Sequence, residues 1–455
     1  MSYRYKVASV FLIGFFIDCI NIFMSAVALP SLSAALHISS SSVAWVANAY
    51  VLGLTLIIPI STWLSGRFGS REMLTLSMLV FSGSAWMCGV ANSFPELVAW
   101  RFVQGLSGGL LIPVGQALTF NLFQGEQRAK ISTLVMAVAL IAPAISPTVG
   151  GIIVDSTSWR WVFFSTIPFS LIAAGLAWCW IKEARPTHLP RPDIKGLLLV
   201  SAALASLLMG MSLYGGDYPA LAAIACIVAG VILIALYLQH YRQSSHAIIE
   251  LSLLKSKRLS TSLFIYYAIP GVFTGVNLLS IFFLQNTLHF SARLTGMFML
   301  VYASGAFIAM LACGRVYNRV GARRLFTFGM LLHSAGIATL VGVNRPDDLW
   351  LIVGAYSLMG IGGGIGANTA QTTSLMDFSS RDTHKASVIW NINRQMSFSL
   401  GAALCLMIFN LLLKPLQPTA AYHASFAIAA LIGLLPLFQM SQLNPAKAHH
   451  EPQPD

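Results

Sequence analysis

Asp18 is the only acidic side chain set deep within an apolar stretch, midway along residues 7–30. Keeping a carboxylate charged at bilayer depth costs about 2.5–3.5 kcal/mol, a cost it escapes by binding a proton or a partner. A group that must choose between two such states suits ion coupling. The alternative is an acid that stays neutral, or that makes one static hydrogen bond to a neighbouring helix. Asn21 follows three residues later on the same helix face, where it could bond a bound molecule or tune the acid. Arg101 lies within the apolar residues 97–121, with Gln104 and Gln116 further along. It could stabilise a charged intermediate, exchange partners with Asp18, bind an anionic group, or snorkel toward headgroups.

Other polar groups cluster later in the chain. Residues 259–285 carry Tyr266, Tyr267, Phe273 and Asn277. Residues 349–376 carry Asn368, Thr369, Gln371 and Thr372, and residues 387–413 carry Asn391, Asn393, Arg394 and Gln395. Polar side chains at this density line a cavity or bond between helices. The aromatics could equally be packing. His333 reads as a satisfied core histidine. The six cysteines form no CxxC pair and have no histidine at metal-ligand spacing, so neither a metal site nor structural disulfides are expected. No GxxxxGK[ST] sequence and no catalytic constellation is present, which argues against ATP hydrolysis and against an enzyme. No cofactor is expected beyond a proton gradient.

The elements that must hold these groups are membrane helices. The chain is 56% hydrophobic and 9% charged, with a mean hydropathy of +0.74. Apolar runs of membrane-spanning length recur throughout, whereas the period-two pattern of a β-barrel is absent. Fourteen spans are expected, at about 7–30, 43–63, 73–94, 97–121, 130–153, 160–182, 196–214, 219–240, 259–285, 294–313, 325–343, 349–376, 387–413 and 420–441. The seventh and eighth are the weakest. The net charge of +12 is a record of topology rather than of nucleic-acid binding. With the N-terminus inside, 21 of the 27 Lys and Arg fall in cytoplasmic segments. This positive-inside asymmetry places both termini in the cytoplasm. The first run is too long for a signal peptide and is read as a retained helix.

Two longer cytoplasmic segments, 182–195 and 241–258, bracket spans seven and eight. They divide the chain into a six-helix bundle at 1–182, linkers with two extra spans at 183–258, and a second bundle with a short tail at 259–455. The loops after spans two and ten share Arg-x-Gly-x-Arg, at Arg67, Gly69 and Arg71 and at Arg319, Gly321 and Arg323, 252 residues apart. Matched order at matched topological positions implies an internal duplication.

At this level the chain resembles the major facilitator superfamily and, more narrowly, the fourteen-span drug:proton antiporters. The resemblance rests on Leu64, Arg67, Gly69 and Arg71 after span two, and on Leu97, Arg101, Gln104 and Gly105 in span four. It rests further on Pro147, Gly150 and Gly151 in span five, on Trp159, Arg160 and Trp161 entering span six, and on Ala28, Leu29 and Pro30. The family's acidic loop position is Gly66 here, and its second-half counterpart is Asn318. The family's span-one Asp falls on Asn21, with Asp18 one turn earlier.

The resemblance implies an all-α polytopic fold in a bacterial inner membrane, with two bundles rocking about a midplane site. It implies proton-coupled efflux of small amphiphilic compounds, with membrane lipids as further partners and a monomeric state. Asp18 and Arg101 are then the proton-coupling pair. Asn21, Gln104, Gln116, Tyr266, Tyr267, Asn277, Asn368 and Arg394 are candidate substrate contacts. The Arg-x-Gly-x-Arg residues with Pro147, Gly150 and Gly151 form the conformational switch. A symporter importing a metabolite, or a non-transporting membrane receptor or assembly subunit, stays open as an alternative.

Overall fold

Every expected span coincides with a helical segment in the computed structural model, which describes residues 2–123, 126–182, 193–214, 220–244, 250–374, 376–378 and 380–442. No strand occurs among the described residues. In chain order, α1 is Tyr3–Leu36, α2 Trp45–Phe68, α3 Ser70–Val90, α4 Phe94–Leu122 and α5 Glu126–Ser156. The sixth rod, α6, is made of Arg160–Phe164 and Ile167–Trp180. Then come α7 Ile194–Tyr214, α8 Ala220–Gln243, α9 Lys257–Thr287, α10 Ala292–Val320 and α11 Ala322–Gly342. The last three are α12 Leu349–Ser374, α13 Ser380–Leu413 and α14, which comprises Pro418–Ile432 and Leu435–Gln442. Twelve helices among the described residues are long and apolar enough to cross a membrane. Within α2 the described apolar stretch Trp45–Ile58 is shorter than these.

Proline and glycine shape these rods. Pro95, Pro168 and Pro418 sit in the first turn of a helix, where the missing N–H costs nothing. Pro270 lies inside α9, and there the helix widens into a π turn at Tyr267–Gly271. Gly69 and Gly321 end α2 and α10 at φ 96° and 82°, a backbone region that favours glycine. The two Arg-x-Gly-x-Arg loops therefore fold alike.

Small residues let the helices that frame the centre approach closely. A side chain at Gly105 would collide with the Tyr50 carbonyl, and one at Gly109 with the Leu54 carbonyl, so α4 lies directly on α2. Two large apolar clusters form the core, and each contains residues from both ends of the chain.

Candidate functional site

Asp18 sits at the middle of α1 and is 3% exposed. Its Oδ1 accepts a short hydrogen bond from the hydroxyl of Tyr50 on α2, which is wholly buried. Gly108 on α4 makes room for the pair: a Cβ there would stand 2.8 Å from the Tyr50 hydroxyl and 2.9 Å from Asp18 Oδ1. Tyr50 carries no family signature, and in the sequence it stands as one tyrosine among mostly apolar residues.

Arg101, 1% exposed, does not snorkel. Its Nε donates to the Val46 carbonyl at 2.9 Å, and its Nη1 to Asn21 Oδ1 at 3.1 Å and Gln104 Oε1 at 2.7 Å. Its Nη2 donates to Ser25 Oγ at 3.3 Å. The guanidinium also lies 4.5 Å from the centre of the Tyr50 ring and 5.5 Å from that of Phe163. Arg101 is thus held by neutral acceptors on α1, α2 and α4, while the acid one turn away keeps a separate partner. Asn21 and Gln104 are fully buried and turned toward Arg101, so in this state they position the arginine.

The second half brings a second arginine near Asp18. Arg394 on α13 is half-buried, lies within electrostatic range of Asp18, Cys19 and Tyr266, and its Nε has no hydrogen-bond partner. Tyr266 packs edge-on against Trp390 at 4.9 Å and beside Phe398 at 6.1 Å. Asn277 is 8% exposed, and its Oδ1 is unbonded. Asn368 is half-buried on α12, where its carbonyl accepts from Thr372 Oγ1. The side chain of Gln116 lies outside the described residues.

One expectation is corrected, that for His333, and one residue stands apart: Tyr267 does not join Tyr266. It lines a separate apolar cavity of about 280 Å³ with Val200 and Leu204 of α7, Tyr237 of α8, and Ile392 and Asn393 of α13. Adjacent helical residues point about 100° apart, so the two rings face different compartments. His333 is buried but not satisfied, because neither ring nitrogen has a hydrogen-bond partner.

The candidate switch residues occupy two regions. Pro147 and Gly151 form a contact between the halves, and Gly150 packs within the first half. A side chain at Gly151 would meet the Ala292 carbonyl of α10, and one at Gly296 would meet the Pro147 carbonyl. Gly150 packs on Met24 of α1. Thr148 Oγ1 donates to the Gly296 carbonyl at 3.2 Å, and Asp155 accepts from the backbone N–H groups of Ala292 at 3.3 Å and Arg293 at 2.8 Å. At the loops, Arg67, Arg319 and Arg323 are exposed. Arg71 is bonded to Glu72 at 2.8 Å and lies 4.4 Å from the Trp178 ring centre. The side chain of Asn318 lies outside the described residues.

The chain is similar to several curated proteins. It is 29% identical over 371 residues to the multidrug resistance protein B homolog of Mycobacterium tuberculosis, covering 80% of this chain and 68% of that one. It is 27% identical over 398 residues to the putative multidrug resistance protein MdtD of Cronobacter sakazakii, covering 86% and 83%. Among solved structures, a D-xylose-proton symporter superposes with a TM-score of 0.65 at 15% identity, covering 95% of this chain and 97% of that one. The nucleoside transporter NupG superposes with a TM-score of 0.68 at 9% identity, covering 97% and 99%. These two show the shared fold. The family model of the Major Facilitator Superfamily matches residues 11–402, and again 262–454. An all-helical fold with a buried acid and arginine at its centre, matched by that model over most of its length, makes this chain a member of the Major Facilitator Superfamily, a multi-pass membrane protein and a secondary transporter rather than an enzyme.

Proposed function

We propose that the chain exports small amphiphilic compounds in exchange for protons. The observation that carries this reading is the separation of Asp18 from Arg101. Arg101 commits its donors to the neutral acceptors Val46, Asn21, Gln104 and Ser25, while Asp18 keeps a single hydroxyl partner. An acid locked in an ion pair could not take up a proton without breaking it. Asp18 can exchange a proton while the arginine scaffold stays in place. The names of the multidrug-resistance relatives support export of amphiphilic compounds.

In this reading the bundles at 1–182 and 259–455 rock about the Asp18 region, and 183–258 adds the extra hairpin. Asn277, Tyr266, Asn368 and Arg394 face the substrate from the second half. Asn21 and Gln104 line the first. The contact of Pro147 and Gly151 with α10, backed by Gly150 on α1, closes one end, and the Arg-x-Gly-x-Arg loops regulate the other. The positive-inside asymmetry supports a bacterial inner membrane with both termini in the cytoplasm. The protein acts as a monomer among membrane lipids.

The test uses energised inverted vesicles from a host lacking its own exporters, challenged with cationic, neutral and anionic amphiphiles. Collapse of the acid-inside gradient by at least one of these classes is expected in wild type, and by none in Asp18→Asn. Undiminished proton-driven export by Asp18→Asn would overturn the proposal.

A further inference from the structure

The duplication seen in the loops extends to individual contacts at the centre of each half. Tyr302 follows Tyr50 by 252 residues. A side chain at Gly360 would collide with the Tyr302 carbonyl, as one at Gly105 would with that of Tyr50. A Cβ at Gly363 would stand 2.7 Å from the Tyr302 hydroxyl, as one at Gly108 would stand 2.8 Å from that of Tyr50. Gly364 abuts the Ala306 carbonyl as Gly109 abuts that of Leu54. Gly366 packs on Ile269 as Leu111 packs on Gly14. These pairs align α9 with α1 and α12 with α4 at a constant shift of 255 residues.

That alignment identifies the counterpart of each charged group. Phe273 stands in place of Asp18, and its ring stacks on Tyr302 at 3.8 Å where Asp18 bonds Tyr50. Tyr356 stands in place of Arg101 and is wholly buried. It packs on Phe298, at 5.9 Å between ring centres, where Arg101 bonds the corresponding Val46. Ser280 stands where Ser25 does. The fold of the site is retained, and both charges have been replaced by aromatic rings.

Besides the tyrosines, a histidine lies nearby. His333 occupies the position of Phe81 in the first half, and its ring centre lies 6.2 Å from that of Phe273. It is fully enclosed, and neither nitrogen has a partner, so an added proton would find nothing to bond. Asp18, by contrast, is faced by Tyr50 from α2, Arg101 from α4 and Arg394 from α13, with Cys19 beside it on its own helix.

We infer that the second half carries an uncharged replica of the Asp18 site, so that proton binding is confined to the first half and one transport cycle carries one proton. This rests on Asp18 being the coupling acid.

Infrared pH-difference spectra and indicator-dye proton uptake of the purified full chain test it without a substrate. Wild type should show one buried-carboxyl band and one proton per chain that are lost in Asp18→Asn. His333→Gln should change neither. Phe273→Asp should add a second band, since the new acid would meet the Tyr302 hydroxyl as Asp18 meets Tyr50. If that variant fails to fold, the wild-type, Asp18→Asn and His333→Gln arms decide alone. Proton uptake or an imidazolium signal that disappears in His333→Gln would overturn the inference while leaving Asp18 as the coupling acid. A carboxyl band that survives in Asp18→Asn would instead remove the coupling reading itself.

Discussion

Gly108→Ala places a methyl carbon against both members of the Asp18–Tyr50 pair. The added Cβ would lie 2.8 Å from the Tyr50 hydroxyl and 2.9 Å from Asp18 Oδ1. Carbon–oxygen contacts settle at about 3.3–3.6 Å, so each oxygen must retreat by roughly 0.5 Å. Overpacking of this kind costs about 1–3 kcal/mol, and alanine returns up to about 1 kcal/mol of helix propensity. Net stability therefore falls by only about 0–2 kcal/mol. The sharper effect is on the hydrogen bond itself. A bond to a charged group contributes about 1.5–3 kcal/mol. Its weakening displaces the protonation midpoint at this site by about 1–2 pH units.

Gly363→Ala is the matched control. Its Cβ would stand 2.7 Å from the Tyr302 hydroxyl, an equal crowding with no acid beside it. Gly83→Ala is the blank, since nothing lies within 4 Å of its Cβ position. Thermal unfolding in detergent should show comparable losses for the two crowded variants and none for Gly83→Ala. Infrared titration of the carboxyl band should show a displaced midpoint for Gly108→Ala alone. An unmoved midpoint in Gly108→Ala, or equal displacement by Gly363→Ala, would refute the argument that Asp18 is governed by its contact with Tyr50.

Two further outcomes are expected. Arg101→Lys keeps the charge but not the fork that reaches Val46, Asn21, Gln104 and Ser25. With each lost bond worth about 1.5–3 kcal/mol, vesicle export should fall at least about tenfold, and export at the wild-type rate would rule out the scaffold role. In the loop before α12, Asp348 accepts from the backbone N–H of Asn344 at 2.8 Å and of Arg345 at 2.9 Å. Those bonds, Asn344 first, hold its carboxyl below the usual carboxylate range. A folded-state value below the unfolded one means the loop contact is fully present above the ordinary Asp range and is lost as pH falls through the lowered value. Amide exchange at Asn344 and Arg345 should therefore be slow at neutral pH and quicken in Asp348→Asn. Equal rates in the two proteins would show that the carboxylate does not hold the loop.

The fold was legible because apolar run length and charge asymmetry are one-dimensional signals. Asp18 was legible for the same reason, as a lone acid in an apolar run. Tyr50 was not, because one tyrosine among apolar residues looks like packing, and its role depends on how α2 is rotated against α1. The 252-residue offset of the loops, carried into the helices, would have paired it with Tyr302. It would not have shown that one ring meets a carboxylate and the other a phenylalanine. The partners of Arg101 come from three helices, and no sequence spacing encodes that convergence. The split between Tyr266 and Tyr267 follows from helical geometry, and the π turn that begins at Tyr267 lies at the same point.

The charge balance at the centre also bears on what is carried. Ionised Asp18 with Arg101 and Arg394 leaves one net positive charge, and proton binding raises this to two. One unit charge at roughly 8 Å through an effective dielectric near 20 is about 2 kcal/mol, or about thirtyfold in affinity. Protonation therefore weakens the binding of a cation and strengthens that of an anion. A cationic amphiphile should exchange against the proton, whereas an anionic one should travel with it. The expected result in energised inverted vesicles is that added cationic amphiphiles collapse the acid-inside gradient and anionic ones do not. If both classes drive the same proton movement, the charge on Asp18 does not set the sense of coupling, and the proposed closure at the contact of Pro147 and Gly151 with α10 must impose it instead.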